Sequence, residues 1–261
     1  MKLSDAEYVA AQYRDSANFD ARARIYERYD VSPERWPRWL FPRLELRAGE
    51  RLLELGCGPG TLWRDNAERI PAGLSLVLTD LSPGMLAQAH AQLAALSPQP
   101  DFREADAQAL PFPDDSFDCV LANHMLYHVP DRARALREVR RVLRRGGRFT
   151  ASTNAATHLL DLREALARAG LPEVGSAAGE FDLEAATREI ATVLRVERVQ
   201  RRDSALEVRD VETLVAYVRS GGGVTPEDAI DRFRAHVAQQ IELAGAFRIR
   251  IAAGAVTGVK S

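Results

Sequence analysis

Cysteine is scarce in this 261-residue chain: Cys57 and Cys119 are the two present, with no C-x-x-C pair. That excludes a disulfide framework and a structural zinc centre, and a reducing compartment is expected. Lysine is equally scarce, and Lys2 and Lys260 leave arginine to carry nearly all the positive charge. Thirty-five basic residues against thirty-seven acidic ones give a net charge of −2. No global field is available to hold a phosphate polymer or an anionic bilayer, so neither nucleic acid nor membrane is expected as a partner. No apolar run approaches the roughly 18 residues of a membrane span, and the first ten residues, with Lys2, Asp5 and Glu7, lack the apolar segment of a signal peptide. A cytoplasmic protein is expected. No internal repeat or low-complexity tract occurs.

What is present is enough apolar material, 46% of residues, for a sizeable core. Residues 1–46 mix charges with aromatics (Tyr8, Tyr13, Phe19, Tyr26, Tyr29, Trp36, Trp39), and Pro33, Pro37 and Pro42 cut them into short helical pieces, which reads as a helical cap. From residue 47 to 153 the pattern becomes short apolar runs, at 51–55, 75–79, 117–122 and 147–152, alternating with amphipathic helices. That alternation predicts a parallel sheet covered on both faces. Ser82-Pro83 and Asp131 mark helix starts, and Gly146-Gly147 is expected to end the second of these helices. Residues 154–261 are expected to complete the sheet and to carry substrate-side helices. In that part a helix is predicted over 157–169, strands at 192–201 and 204–209 joined by an Arg202-Asp203 turn, and helices over 211–219 and from 225 to about 242. Two last strands, near 246–251 and 255–259, are expected to turn at Gly254. Gly221-Gly222-Gly223 reads as a flexible joint that would let the last helix act as a lid.

The sharpest feature is the strand Leu52-Leu53-Glu54-Leu55 running into Gly56-Cys57-Gly58-Pro59-Gly60. Three glycines permit positive φ and let backbone N–H groups approach a ligand, so a nucleotide-like molecule is expected at this strand end. An NAD fingerprint would need glycine where Thr61 stands, which disfavours a dinucleotide. Asp80, about twenty residues on at the end of the second strand, is placed to accept both hydroxyls of a ribose. Cys57 sits in the loop as a small packing residue, since no base adjoins it.

In this order the residues resemble a class I S-adenosylmethionine-dependent methyltransferase of the small-molecule, methyltransferase type 11-like group. Glu54, Gly56, Gly58 and Gly60 match E/D-x-G-x-G-x-G, Asp80 the ribose-binding acid, and Ala105-Asp106-Ala107 with Leu110-Pro111-Phe112 the adenine-holding stretch. Asp114-Asp115-Ser116-Phe117-Asp118 then leads into the fourth strand, and Leu143-Arg144-Arg145-Gly146-Gly147 resembles L-x-P-G-G, with Arg145 where proline usually stands. The resemblance covers about residues 40 to 153. It implies an α/β fold: a doubly wound, Rossmann-like, seven-stranded and mostly parallel sheet with a C-terminal antiparallel hairpin and an N-terminal helical cap. It also implies S-adenosylmethionine as cofactor and S-adenosylhomocysteine as product. Asp106 and Ala107 would bind the adenine edge and Leu81 and Met85 its faces. The cofactor's ammonium would lie near the carbonyls of Gly56 and Asn123, with Glu54 acting from behind the loop and Tyr13 or Arg22 reaching its carboxylate.

Asn123, His124, Tyr127 and His128 fall beyond the fourth strand, where open α/β sheets bind ligands. His128 is the first choice for taking a proton from the acceptor, with His124 and Tyr127 beside it and His158 as a further lining residue. His124 and His128 lack an H-E-x-x-H context, and no metal is expected. An N-P-P-Y segment is absent, which weakens nucleic-acid amino groups as substrates. The arginines 137, 140, 141, 144, 145 and 148 read as a solvated helix face. The expected activity is methyl transfer to an unidentified small-molecule acceptor by direct displacement, in a monomer or homodimer. An NAD-dependent oxidoreductase and a non-catalytic cofactor-binding module are the alternatives, and quinone C-methylation ranks below an unspecified metabolite.

Overall fold

The computed structural model describes residues 24–174, 181–221 and 225–261. Seven strands form one sheet in the order β3-β2-β1-β4-β5-β7-β6. They are β1 Arg51–Leu55, β2 Ser75–Asp80, β3 Asp101–Glu104, β4 Phe117–Asn123, β5 Leu143–Asn154, β6 Arg195–Val208 and β7 Phe247–Val259. Strands β1 to β5 pair in parallel, whereas β7 runs antiparallel to both β5 and β6. Besides a helical stretch at 24–29, eight α-helices follow in chain order among the described residues: α1 Trp36–Leu40, α2 Thr61–Arg64, α3 Pro83–Gln92, α4 Arg132–Val142, α5 Leu160–Ala169, α6 Leu183–Ala191, α7 Val211–Arg219 and α8 Glu227–Ala244.

The central strands are apolar on both sides because both sides are covered. Leu53, Leu55, Val120, Ala122, Phe149 and Ala151 pack with α4 and α6 on one face. Leu52, Leu78, Cys119 and Leu121 pack with Trp39, Leu40 and Phe41 on the other. Further along that second face Ile249 and Ile251 of β7 meet α5, α7, α8 and the helical stretch 24–29. The local start signals operate as the sequence predicts: Ser82 accepts from Met85 N–H and Asp131 from Arg134 N–H, and Gly170 closes α5 at φ 77°.

Four expectations are corrected. The two short strands at 192–201 and 204–209 are one, β6, paired with β7 along its whole length. A two-residue hairpin turn needs positive φ, which Arg202-Asp203 does not supply, and Arg202 instead stays in line to pair with Asp30. Likewise 246–251 and 255–259 are one strand, and Gly254 lies inside it. A Cβ there would stand 2.6 Å from both Gln200 O and Leu183 Cδ2, so the glycine serves close packing of α6 on the sheet rather than a turn. The antiparallel close is thus β6 against β7, with α7 and α8 between them in sequence. Third, α4 ends at Val142, not at Gly146-Gly147, which belong to β5; Gly146, at φ 74°, donates to Lys260 O. Fourth, the arginines after residue 137 are internal staples in several cases. Arg141 bridges Glu138, Asp114 and the carbonyls of Leu110 and Phe112, and the partly buried Arg148 pairs with Glu50 at 2.8 Å. Gly222 and Gly223 of the expected joint lie outside the described residues. Gly221 is tightly packed, since a Cβ on it would meet Val174 at 2.6 Å.

Candidate active site

The parallel strands end together at one edge, and the loops after β1, β2 and β4 enclose a cleft of about 1220 Å³ there. Gly56, Gly58 and Gly60 follow β1 with φ of 61°, 54° and 78°, all left-handed. A Cβ on Gly56 would lie 2.8 Å from Met125 and one on Gly60 2.9 Å from Leu93, while Gly58 faces open space. Two of the glycines therefore let the loop close onto the protein, and the middle one keeps its outer side clear for a ligand. The loop is tied to β2 by the Cys57 N–H to Thr79 O bond. The Asp80 carboxylate accepts from Gly58 N–H and Ser82 N–H, both at 2.9 Å. Burial raises the Asp80 pKa and these donors pull it back, leaving a net rise above the ordinary value. Cys57 is buried and its thiol is pushed well up by burial and by the acids Glu54 and Asp80, so it is packing material, as its sequence context suggests.

Glu54, 1% exposed, stands under the loop with its carboxyl accepting from Trp63 Nε1–H at 2.5 Å. Burial raises its pKa to about 8; the Trp63 bond opposes that rise and the nearby Asp80 adds to it. On the far wall Asp106 accepts from the backbone and side-chain N–H groups of Gln108, whose own Oε1 accepts from Asp131 N–H. Gln108 was not read from sequence as a site residue; its D-x-Q spacing was the available signal. Leu81 and Met85 both line the cleft but unequally: Leu81 is 60% exposed and offers a face, whereas Met85 is buried in the wall. Ala107 lines the same region.

Beyond β4 the chain turns through His124, a left-handed non-glycine residue at φ 54°, whose N–H is held by Ser152 O and Ser152 Oγ. Asn123 Oδ1 receives two donors, Trp36 Nε1–H at 3.1 Å and Ser152 Oγ–H at 2.7 Å. Indole N–H can only donate, which fixes the orientation of the Asn123 amide. Trp36 also packs edge-on against the His124 ring at 4.9 Å. Burial lowers the His124 pKa to about 4. His158 is lowered to about 3, chiefly by burial. Its Nδ1 accepts from Ala252 N–H, so the ring proton resides on Nε2 and is donated to Tyr26 Oη, 3.1 Å away. Tyr127 and His128 contact each other edge-on at 4.5 Å and both line the cleft. Of the described candidates of both groups, all but Glu54 and Gly60 line one cavity; Glu54 stands under its glycine loop and Gly60 closes that loop onto the protein. Tyr13 and Arg22 lie outside the described residues. Among the described residues no group of three or more potential metal ligands occurs, and no helix is long and apolar enough to cross a membrane.

A mostly parallel sheet with this strand order, a glycine loop after β1 and an acid at the end of β2 make a doubly wound, Rossmann-like fold of the kind its methyltransferase neighbours share. Residues 53–151 match the family model described as "Methyltransferase domain". Over 116 residues the chain is 38% identical to the ubiquinone/menaquinone biosynthesis C-methyltransferase UbiE of Hahella chejuensis, covering 44% of this chain and 47% of that one. The chain spans about half the length of the curated relatives it matches. Among solved structures, the [4+2]-cyclase SpnF has a TM-score of 0.60 at 17% identity, with 99% of this chain and 97% of that chain covered. A Haemonchus contortus phosphoethanolamine N-methyltransferase 2 in complex with S-adenosyl-L-methionine has a TM-score of 0.57 at 18% identity, covering 100% of this chain and 60% of that one. These two likenesses show the fold.

Proposed function

We propose that the chain is an S-adenosylmethionine-dependent methyltransferase acting on a small-molecule acceptor by direct displacement. The observation that carries this reading is the Asp80 carboxylate clamped between Gly58 N–H and Ser82 N–H beside a glycine, Gly58, whose outer side is open. Each Asp80 oxygen retains a lone pair for a ribose hydroxyl, and the open side of Gly58 admits a ligand that a side chain would block. When bound, S-adenosylmethionine supplies a methyl group activated by a sulfonium. The chain's own part is to hold the two molecules in line and keep water out. Asp106, steadied by Gln108, and Ala107 would bind the adenine edge, Leu81 would cover one face of the base with Met85 in the wall beside it, and Glu54 would offset the cofactor's ammonium from beneath. A protonated acceptor would pass its proton to His128. His124, with a pKa near 4, and His158, whose Nδ1 is occupied by Ala252 N–H, are poor acceptors at neutral pH. In this reading residues 47–153 hold the cofactor, while 1–46 and 154–261 bound the acceptor. The two thiols, both free and buried, suit a reducing, cytoplasmic setting.

Calorimetry with S-adenosylhomocysteine on wild type and Asp80→Ala tests the binding half. Loss of charged hydrogen bonds worth about 1.5–3 kcal/mol each predicts at least a tenfold weaker complex for the variant. Undetectable binding to wild type would remove the reading. Because the same fold is found in a [4+2]-cyclase, the second measurement is methylated product across a metabolite pool. Binding without any such product would favour the non-catalytic module instead. Thr61, at the position where an NAD fingerprint has glycine, gives the oxidoreductase alternative no support.

A further inference from the structure

Resting on the assignment of the glycine-loop half to the cofactor, we propose that the other half of the cleft, seated over Ala253, receives an uncharged, flat aromatic acceptor. The sheet register makes the floor. Asn123 pairs with Ser152, Ser152 with Ala255, Asn154 with Ala253, and Ala253 with Arg202, which sets these residues on one face of the sheet at its ligand end. Ile251 on that same face also lines the cleft while packing into the core, and beside it the small methyl of Ala253 leaves depth above the floor. The walls present rings: Tyr26 and Trp36 from the N-terminal segment and Tyr217 from α7 all line the cleft. Such π-faces favour a planar partner in offset or edge-on contact. The volume also fits, because about 1220 Å³ exceeds the usual span of about 300–1,000 Å³ for a single small ligand and leaves room beside a nucleoside.

Among the described residues the charges of this half are matched internally. Arg202, 9% exposed, donates to Asp30 at 2.8 Å and to Glu34 O at 2.6 Å, and Asp30 accepts further from Ser204 Oγ at 2.6 Å and from Ser32 N–H at 2.9 Å. Arg35 is paired with Glu27 at 2.6 Å, and Arg24 is also engaged. A charged acceptor would have to displace one of these partners or be desolvated without a counterion. The other polar side chains on this part of the lining include neutral ones, the amides of Asn123 and Asn154 and the Tyr26 hydroxyl, the last of them already bonded to His158. Neutral imidazoles at His124 and His158 agree with a surrounding that disfavours charge of either sign.

The test is binding of three probes of one shape to wild type saturated with S-adenosylhomocysteine: 2-naphthol, 2-naphthoate and 2-naphthylmethylammonium. The neutral probe is expected to bind at least about tenfold tighter than either charged one. Ala253→Leu is expected to weaken 2-naphthol at least about tenfold by filling the floor, with S-adenosylhomocysteine affinity unchanged; Ala253→Val serves if the larger residue unfolds the protein. A charged probe binding as well as 2-naphthol, naphthol binding that ignores both Ala253 variants, or failure of all three probes on a protein that binds S-adenosylhomocysteine would each overturn the proposal while leaving the methyltransferase reading in place. Failure to bind S-adenosylhomocysteine at all would instead overturn that reading.

Discussion

Replacing Glu54 with glutamine isolates one buried acid whose effect on stability has a definite sign. Burial lifts the Glu54 carboxyl from the usual 4.5 to about 8. The folded protein therefore keeps a proton that the unfolded chain releases, and the contribution is fully present below about pH 4.5 and is lost as pH climbs towards 8. Each pH unit inside that window is worth about 1.4 kcal/mol, so moving from about pH 5.5 to about pH 8 should remove roughly 3 kcal/mol that belongs to Glu54. For a chain of this size that is a fall in melting temperature of roughly 6–12 °C. Glutamine keeps an oxygen to accept from Trp63 Nε1–H and cannot ionise, so Glu54→Gln should lack this part of the slope. The assay is thermal or urea unfolding of both proteins at a series of pH values, comparing the two curves so that every other titrating group cancels to first order. Parallel curves would refute the reasoning and place the Glu54 carboxyl in contact with water or a cation.

Other outcomes follow from the same geometry. Gly58→Ala and Gly60→Ala should separate: both force alanine into positive φ, at roughly 1–2 kcal/mol, but Gly60→Ala also drives a methyl into Leu93 and should show the larger loss in melting temperature. Gly58→Ala, with space around it in the free protein, should show the larger loss of S-adenosylhomocysteine affinity by calorimetry. Trp36→Phe keeps a ring against His124 but removes the donor to Asn123, and a loss of roughly 1 kcal/mol in urea unfolding is expected. His158 is held neutral with a pKa near 3, so stability is retained above about pH 6.5 and falls as acid protonates the unfolded chain first; His158→Asn should flatten that acid limb. Gly254→Ala should cost roughly 1–3 kcal/mol through overpacking against Leu183 and Gln200, whereas a turn glycine in open solvent would show no such clash.

Much of the glycine-loop half of the candidate site was legible because its signals are contiguous in the chain. An apolar strand, three glycines and an acid at the next strand end are local requirements, and Gly56, Gly58, Gly60 and Asp80 stand as the spacing implies. Helix starts at Ser82 and Asp131 were equally local. The edge strands were read less well. At β3 and β6 water replaces one neighbour, so charged residues such as Arg103, Arg202 and Asp203 enter the strand and imitate loop or turn. Gly254 misled for the complementary reason, since its cause is a leucine more than seventy positions earlier.

The sequence by itself determined the class of fold and the glycine loop after β1 with the acid at the next strand end, since each depends on neighbours within a few residues. Only the tertiary structure decided the opposite half of the cleft. Trp36 with Asn123, Tyr26 with His158, and Asp30 with Arg202 are pairs drawn from distant parts of the chain. What each of those side chains does is set by strand register and burial, and neither is written in any one stretch of sequence.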